Sequence, residues 1–353
     1  GRVLTRAVIL MDMGNRKRLI LQAIIEDYIN SAEPVGSRTI SKKYLTGTSP
    51  ATIRNEMSDL EDMGYIEQPH TSAGRIPSDK GYRLYVDKIM KQNTINEAQR
   101  EMIKREFVES LGEIDRLIKH ASKLLSQLTQ YTSIVMAPQF RRTSIKQVQL
   151  LRIDRAVVLA VIVTDAGIIK NSVLRLKQDI QPDALVKITN MINDKMAGLD
   201  VEDIERFDFQ DMLNNSFGHS EIIEQVVPEL IQTLFYSDTS EVYHDGVSNI
   251  LNLPEYSDIS KARDFLNIME ERELLFKVLN DVREDVNISI GKENKLEQFK
   301  ECSLITATYK IDNKVIGSVG IIGPTRMEYS KAISIVECMT NNLSEILTNI
   351  LKR

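Results

Sequence analysis

Apolar residues return on a helical period from Asn15 onward. Between Asn15 and Ser31, Leu21, Ile24, Ile25 and Tyr28 fall at i, i+3, i+4 and i+7, the spacing of one buried helix face, and Pro34 ends the pattern. In "GSRTISKKY", Ser37 offers an N-cap and Ile40 and Tyr44 stand one turn apart, which predicts a second, short helix that must pack on its neighbours. Ser49-Pro50 is a cap followed by proline at the first helical position, so a third helix runs to about Met63 and Gly64 closes it. Ile53, Met57 and Leu60 share its inner face; the opposite face centres on Ala51, Asn55 and Ser58, flanked by Thr52 and Arg54. "YIE" at 65–67 and "RIP" at 75–77 then read as two strands, with a tight turn at Ser72-Ala73-Gly74 in which glycine supplies a positive φ. Ser78 caps another helix with Asp79 in its first turn. Three short helices and a hairpin predict a winged helix-turn-helix over residues 15–90.

From Thr94 to Thr129 the pattern is helical, with Phe107, Leu111, Ile114, Ile118, Ala121, Leu125 and Leu128 on a 4-3 spacing. That spacing permits a self-pairing coiled coil, whereas Leu117 and Leu124 widen the stripe into one that packs on a sheet within its own domain. "IKQVQLLRI", "AVVLAVIVT" and "IIKNSVLRL" read as an antiparallel meander. A second set of strands, "VNISIG", "SLITATYKI" and "VIGSVGIIG", comes only after residue 285, before a final helix carrying Ala332, Val336, Met339, Leu343, Ile346 and Ile350. Residues 182–284 between the sets are mainly helical. The expected fold class is therefore α+β multidomain, with one α+β domain interrupted by an insertion.

Charge adds one asymmetry. The chain of 353 residues has a net charge of −5, but residues 1–90 hold 13 Lys and Arg against 11 Asp and Glu, and the remainder carries −7. The first ninety residues are thus the part suited to nucleic acid. Only Cys302 and Cys338 occur, without metal-ligand spacing, which fits a reducing, cytoplasmic setting and argues against a disulfide framework or zinc site. No apolar run is long enough to span a bilayer. No phosphate loop, HExxH or GxSxG occurs, nor the adenylate loop of a ligase fused to a winged helix; no catalytic activity, cofactor or metal is expected. "IGPTR" at 322–326 reads as a structural connection from strand to helix. Residues before Asn15 receive no role.

A helix that enters a major groove about 12 Å wide needs small residues at close approach and Arg or Asn to reach base edges. The candidate DNA-binding set is Arg38 and Lys42 on the second helix, Ser49, Ala51, Thr52, Arg54, Asn55 and Ser58 on the third, and His70, Thr71, Ser72, Gly74 and Arg75 in the hairpin. His70 is either a phosphate or groove contact from the wing or, as a lone His more often is, a surface residue, and Arg75 either binds phosphate or flanks the hairpin.

The segments "EPVGSRTIS", "SPATIRNEMSDLEDMGYIEQPHTSAGRIPSDKGYR" and "GSVGIIGPTRMEYSKAI" resemble signature stretches of the HrcA family of heat-inducible transcription repressors. The resemblance implies a homodimer that binds an inverted-repeat, CIRCE-type operator on double-stranded DNA upstream of chaperone genes, kept active by the GroEL chaperonin. It also implies a GAF-like domain, mapped to 94–181 and 285–353, with an inserted, mainly helical dimerisation domain mapped to 182–284. A metabolite-responsive regulator with a small ligand in the GAF-like domain is the alternative.

Overall fold

The computed structural model describes residues 14–70, 73–91, 95–108, 114–138, 144–165, 169–199, 203–204, 210–214, 218–236, 242–282, 284–311 and 314–351. Described residues up to 137 and those from 242 to 346 form one compact α+β unit; those from 138 to 241, with the end of the last helix from Leu347, form another.

The first unit opens with α1 (Asn15–Ser31), α2 (Ser37–Lys43) and α3 (Pro50–Asp62). Ile20, Leu21, Ile24 and Ile25 of α1, Ile40 of α2, and Ile53 and Leu60 of α3 are fully buried, so the three apolar faces close on one core. Asp27 is buried among them, where its Oδ1 accepts from Lys43 Nζ at 2.6 Å and from the Tyr44 hydroxyl at 2.9 Å. That pairing satisfies a carboxylate whose burial alone would be costly, and it ties the end of α2 to α1. Ser37 is the first helical residue rather than the cap, a position Gly36 takes. The reason is tertiary: Val35 pairs with Arg75 through two backbone bonds of 2.9 Å, and this bridge fixes where the chain enters α2.

Strands β1 (Ile66–Glu67) and β2 (Ile76–Pro77) form the antiparallel hairpin, followed by α4 (Asp79–Leu84), which continues through a wider turn to Ile89. Gly64 closes α3 at φ 75°, but Gly74 has no positive φ. Gly74 is required by close approach instead, because an added Cβ would lie 2.6 Å from the Val35 carbonyl carbon.

Next come α5 (Glu97–Val108), α6 (Ile114–Thr129) and a sheet in the order β7-β3-β10-β9-β8, every neighbour antiparallel. Its strands are β3 (Thr132–Met136), β7 (Val242–Asp245), β8 (Val286–Ile290), β9 (Cys302–Ile311) and β10 (Lys314–Pro324). Helices α10 (Ile259–Glu270) and α11 (Arg272–Asn280) press Phe265, Met269, Leu275 and Leu279 onto the face carrying Ile134, Leu304 and Ile322. Alternation turns Ser133 the other way, toward Ser122 of α6 at 2.9 Å. Leu117, Ile118, Ala121, Leu124 and Leu125 of α6 are all buried and α6 packs on β3 and β7, the wide-stripe arrangement. Leu111 lies outside the described residues. The final helix, α12 (Tyr329–Leu351), buries Ala332, Val336, Met339, Leu343 and Ile346.

The second unit holds the meander β4 (Ile145–Asp154), β5 (Val157–Thr164) and β6 (Ile169–Arg175), with α7 (Pro182–Met196), α8 (Gln210–Asn214) and α9 (Ser220–Tyr236). Val148, Leu150, Val158, Ala160, Ile162 and Leu174 share one core with α7 and α9. This redraws the domain boundaries expected from the sequence. The meander over 145–175 belongs with the helices that follow it, while α10 and α11, placed in the insertion at 182–284, cover the five-stranded sheet. The insertion is thus α+β rather than mainly helical, because the four-residue β7 closes it at Val242, well before the second strand set.

Gly81 in α4 is the tightest contact in the helical lobe: an added Cβ would sit 2.1 Å from the Tyr65 carbonyl oxygen. Gly81→Ala should therefore lower stability by about 1–3 kcal/mol, as overpacking does. Urea unfolding that matches wild type would show that α4 does not depend on this approach.

Candidate nucleic-acid interface

Helix α3 starts where the sequence says, for a local reason. The Ser49 hydroxyl accepts from the Thr52 N–H at 3.1 Å, and Pro50 follows at the first helical position. The Ser49 and Thr52 hydroxyls also bond each other at 2.9 Å, which leaves Thr52 half-buried. With Ile53, Met57 and Leu60 turned inward, Ala51, Arg54, Asn55 and Ser58 are exposed on one face. Arg38 and Lys42 of α2 are exposed as well.

Helix α3 is itself acidic toward its C-terminal half, with Glu56, Asp59, Glu61 and the exposed Asp62. The first three each meet a cation from outside the helix. Lys17 of α1 lies 3.0 Å from both Glu56 and Asp59, and hydrogen bonds to Asp59 and Glu56 raise its pKa. Arg75, just before β2, holds Glu61 through Nε at 2.9 Å and Nη2 at 2.8 Å. Three of the four carboxylates that would repel a phosphate backbone are thereby paired, while Arg54, Arg38 and Lys42 have no ion-pair partner among the described residues.

Arg75 therefore gives the structural outcome of its two readings. Its side chain is half-buried, its backbone bridges Val35, and its guanidinium is engaged by Glu61. His70 is exposed at the hairpin loop, which is drawn together by the Ala73 N–H on the His70 carbonyl at 2.9 Å and by Gln68 Nε2 on the Ala73 carbonyl at 3.2 Å. Gly74 is partly covered, a backbone spacer rather than a presented group. Thr71 and Ser72 lie outside the described residues. The sequence reading missed Lys17 and Glu56; an outward Lys on α1 carries no signal until α1 and α3 are placed side by side.

A family model described as HrcA protein C terminal domain matches residues 115–333. The heat-inducible transcription repressor HrcA of Ruminiclostridium cellulolyticum is 44% identical over 349 residues, covering 97% of this chain and 99% of that protein. The chain belongs to the HrcA family. The HrcA repressor of Alkaliphilus metalliredigens is 46% identical over 338 residues, or 96% of this chain, and that of Clostridium tetani is 46% identical over 350 residues, or 98%. These alignments of HrcA proteins take in α1–α4, which the family model, starting at 115, does not reach. A crystal structure described as a hypothetical protein at 2.2 Å resolution matches with a TM-score of 0.66 and 26% identity, covering 96% of this chain and all of that one.

Arg75→Ala should lower the melting temperature by several degrees, because it leaves Glu61 unpaired beside the hairpin, and should leave the salt dependence of DNA binding unchanged. A salt slope reduced by about one unit with unchanged melting would restore Arg75 as a phosphate contact.

Proposed function

We propose that the protein is a homodimeric, winged-helix repressor of heat-shock chaperone operons in the cytoplasm, reading an inverted-repeat operator with α3. The observation that carries this is the capped, small-and-polar outer face of α3, with Arg54 and Asn55 early on the helix, in a chain whose relatives are named heat-inducible transcription repressors. Ala51 and Ser58 allow the helix close approach in the groove; Arg54 and Asn55 have the reach and donor geometry for guanine and adenine edges. The hairpin, with His70 at its loop, serves as the wing. GroEL as a partner that keeps the repressor active has the sequence resemblance as its support, and so does the name GAF-like for the five-stranded lobe.

An inverted repeat calls for two copies, and the second unit offers a surface for them. Its sheet is covered on one face by α7 and α9, while the other face presents Leu151, Leu159 and Val173 in one row across all three strands and Val163 beside Ile169 in another. Leu151, Ile169 and Val173 are exposed. Gln149, Val161 and Asn171 form the uncharged row between them, and Asp154 and Arg175 flank Val157 at the end of the face. A small sheet with one face open in the monomer fits burial against its own copy, and this supports the second unit as the dimerisation domain.

The ligand-sensing alternative is less well supported. The sheet face under α10 and α11 is filled by Phe265, Met269, Leu275, Leu279 and Phe299, all of them buried.

Arg54→Ala and Asn55→Ala should each weaken operator binding by about 1–3 kcal/mol and relax specificity at one position per half-site. Competition with single-base operator variants measures this, and wild-type affinity and specificity in both would remove α3 from the reading surface. Val173→Asp, on the exposed apolar row, should convert the dimer to monomer in sedimentation while circular dichroism stays unchanged. A dimer that survives this change uses another face.

A further inference from the structure

The helical lobe and the five-stranded lobe of the first unit meet through ion pairs and hydrogen bonds set around a buried tyrosine pair. Arg83 of α4 donates from Nε to Glu293 at 2.8 Å and from Nη2 to the Ile288 carbonyl of β8 at 2.6 Å. Asp79, at the start of the same helix, accepts from the Lys292 N–H at 3.0 Å. From the other side, Arg326 follows β10 and pairs with Glu255 through Nε at 2.7 Å and Nη2 at 3.2 Å. Its remaining nitrogen, Nη1, donates to the Ile29 carbonyl in the last turn of α1, where the helix dipole favours a cation. Between the two arginines, Tyr82 and Tyr329 are buried with ring centroids 5.9 Å apart.

Arg83 and Arg326 are far apart in the chain, yet each bridges the two lobes. Next to Ile29 and Tyr329 lies a cleft of about 400 Å³, lined also by Gln22 and Glu26 of α1 and by Glu328, Ser330 and Lys331. A junction carried by a few directional contacts is weaker than either apolar core it joins, and it loses those contacts together once one side moves.

We propose that the Arg83 and Arg326 clamps form a latch that holds the DNA-reading helix in fixed relation to the five-stranded lobe, and that heat releases this latch before either lobe unfolds. The proposal rests on the repressor reading above. With the latch closed, Arg54 and Asn55 stay exposed, so the latched state is compatible with DNA. Two reading helices in a dimer engage both halves of an inverted repeat as one event only if their separation is held; with the latch open, the second half-site is no longer presented at high effective concentration. Release therefore lowers affinity for the whole operator and spares each half-site.

The test uses the full chain and the variants R83Q and R326Q with three duplexes: the inverted repeat from the protein's own chaperone promoter, the same duplex with one half scrambled, and a random sequence. Each variant should bind the whole operator about tenfold or more weakly and the half-site within about twofold of wild type. Equal loss on both duplexes, or no loss, overturns the latch. Hydrogen exchange on a temperature series gives a reading independent of DNA. Amides of 79–91 and 286–293 in the wild type should lose protection at lower temperature than those of 20–25 and 305–322, and at lower temperature still in the variants. Loss of all four segments together overturns the proposal even where DNA is bound. A wild type that distinguishes none of the three duplexes sinks the repressor reading instead, and exchange then decides the latch alone.

Discussion

Met136 and Val242 face each other across β3 and β7, and the architecture depends on that pairing. Residues 137–241 leave the sheet at one strand and return at its neighbour. Because the two ends are held a strand's width apart, an entire α+β unit can be inserted without disturbing the sheet's register. The same constraint places β3 second from the sheet edge, paired on its other side with the central β10 from Val319 to Ile322, so strands from both sides of the insertion share one sheet. Each unit keeps its own core: the Val148 and Ile223 cluster in one, the Ile134 and Phe265 cluster in the other.

Within the first unit the two lobes are stabilised by different physics. The three-helix lobe and the five-stranded lobe each bury a contiguous apolar cluster, while the contact between them rests on two guanidinium groups, a carboxylate at a helix start and a tyrosine pair. Apolar burial is non-directional and tolerates small shifts. Bidentate arginine contacts are not tolerant, since their strength depends on planar alignment.

Charge is handled in a related way at the exposed face of α3. The helix carries four acids, and the fold brings Lys17 of α1 and Arg75, just before β2, to three of them. The net positive balance of the first ninety residues thus understates what the surface presents, because part of the positive charge is committed to neutralising α3 while Arg38, Lys42 and Arg54 face outward.

The helices and the hairpin were legible in the sequence because their determinants are local. Ser49-Pro50 fixes the start of α3, Gly64 its end, and Ser78 the start of α4; each acts within a few residues through a cap or a backbone conformation. Alternation in 145–175 likewise announced a meander whose pairing is between neighbours. Which sheet those strands belong to was not legible, since β3 and β7 are short and pair across the insertion, and a pattern read along the chain carries no information about such a partner. Arg75 illustrates the same limit: its position leaves phosphate contact and hairpin flank both open, and only the folded chain brings Glu61 of α3 within ion-pair reach of it. Arg83 and Arg326 lie in segments that the sequence marks as characteristic, but their roles arise from partners at Glu293, Glu255 and Ile29 that only the folded chain brings within hydrogen-bond reach. Capping, periodicity and turn chemistry act over a few residues, so the sequence by itself determined the elements; ion pairs and strand partners act through space, so the tertiary structure alone decided how the elements are joined.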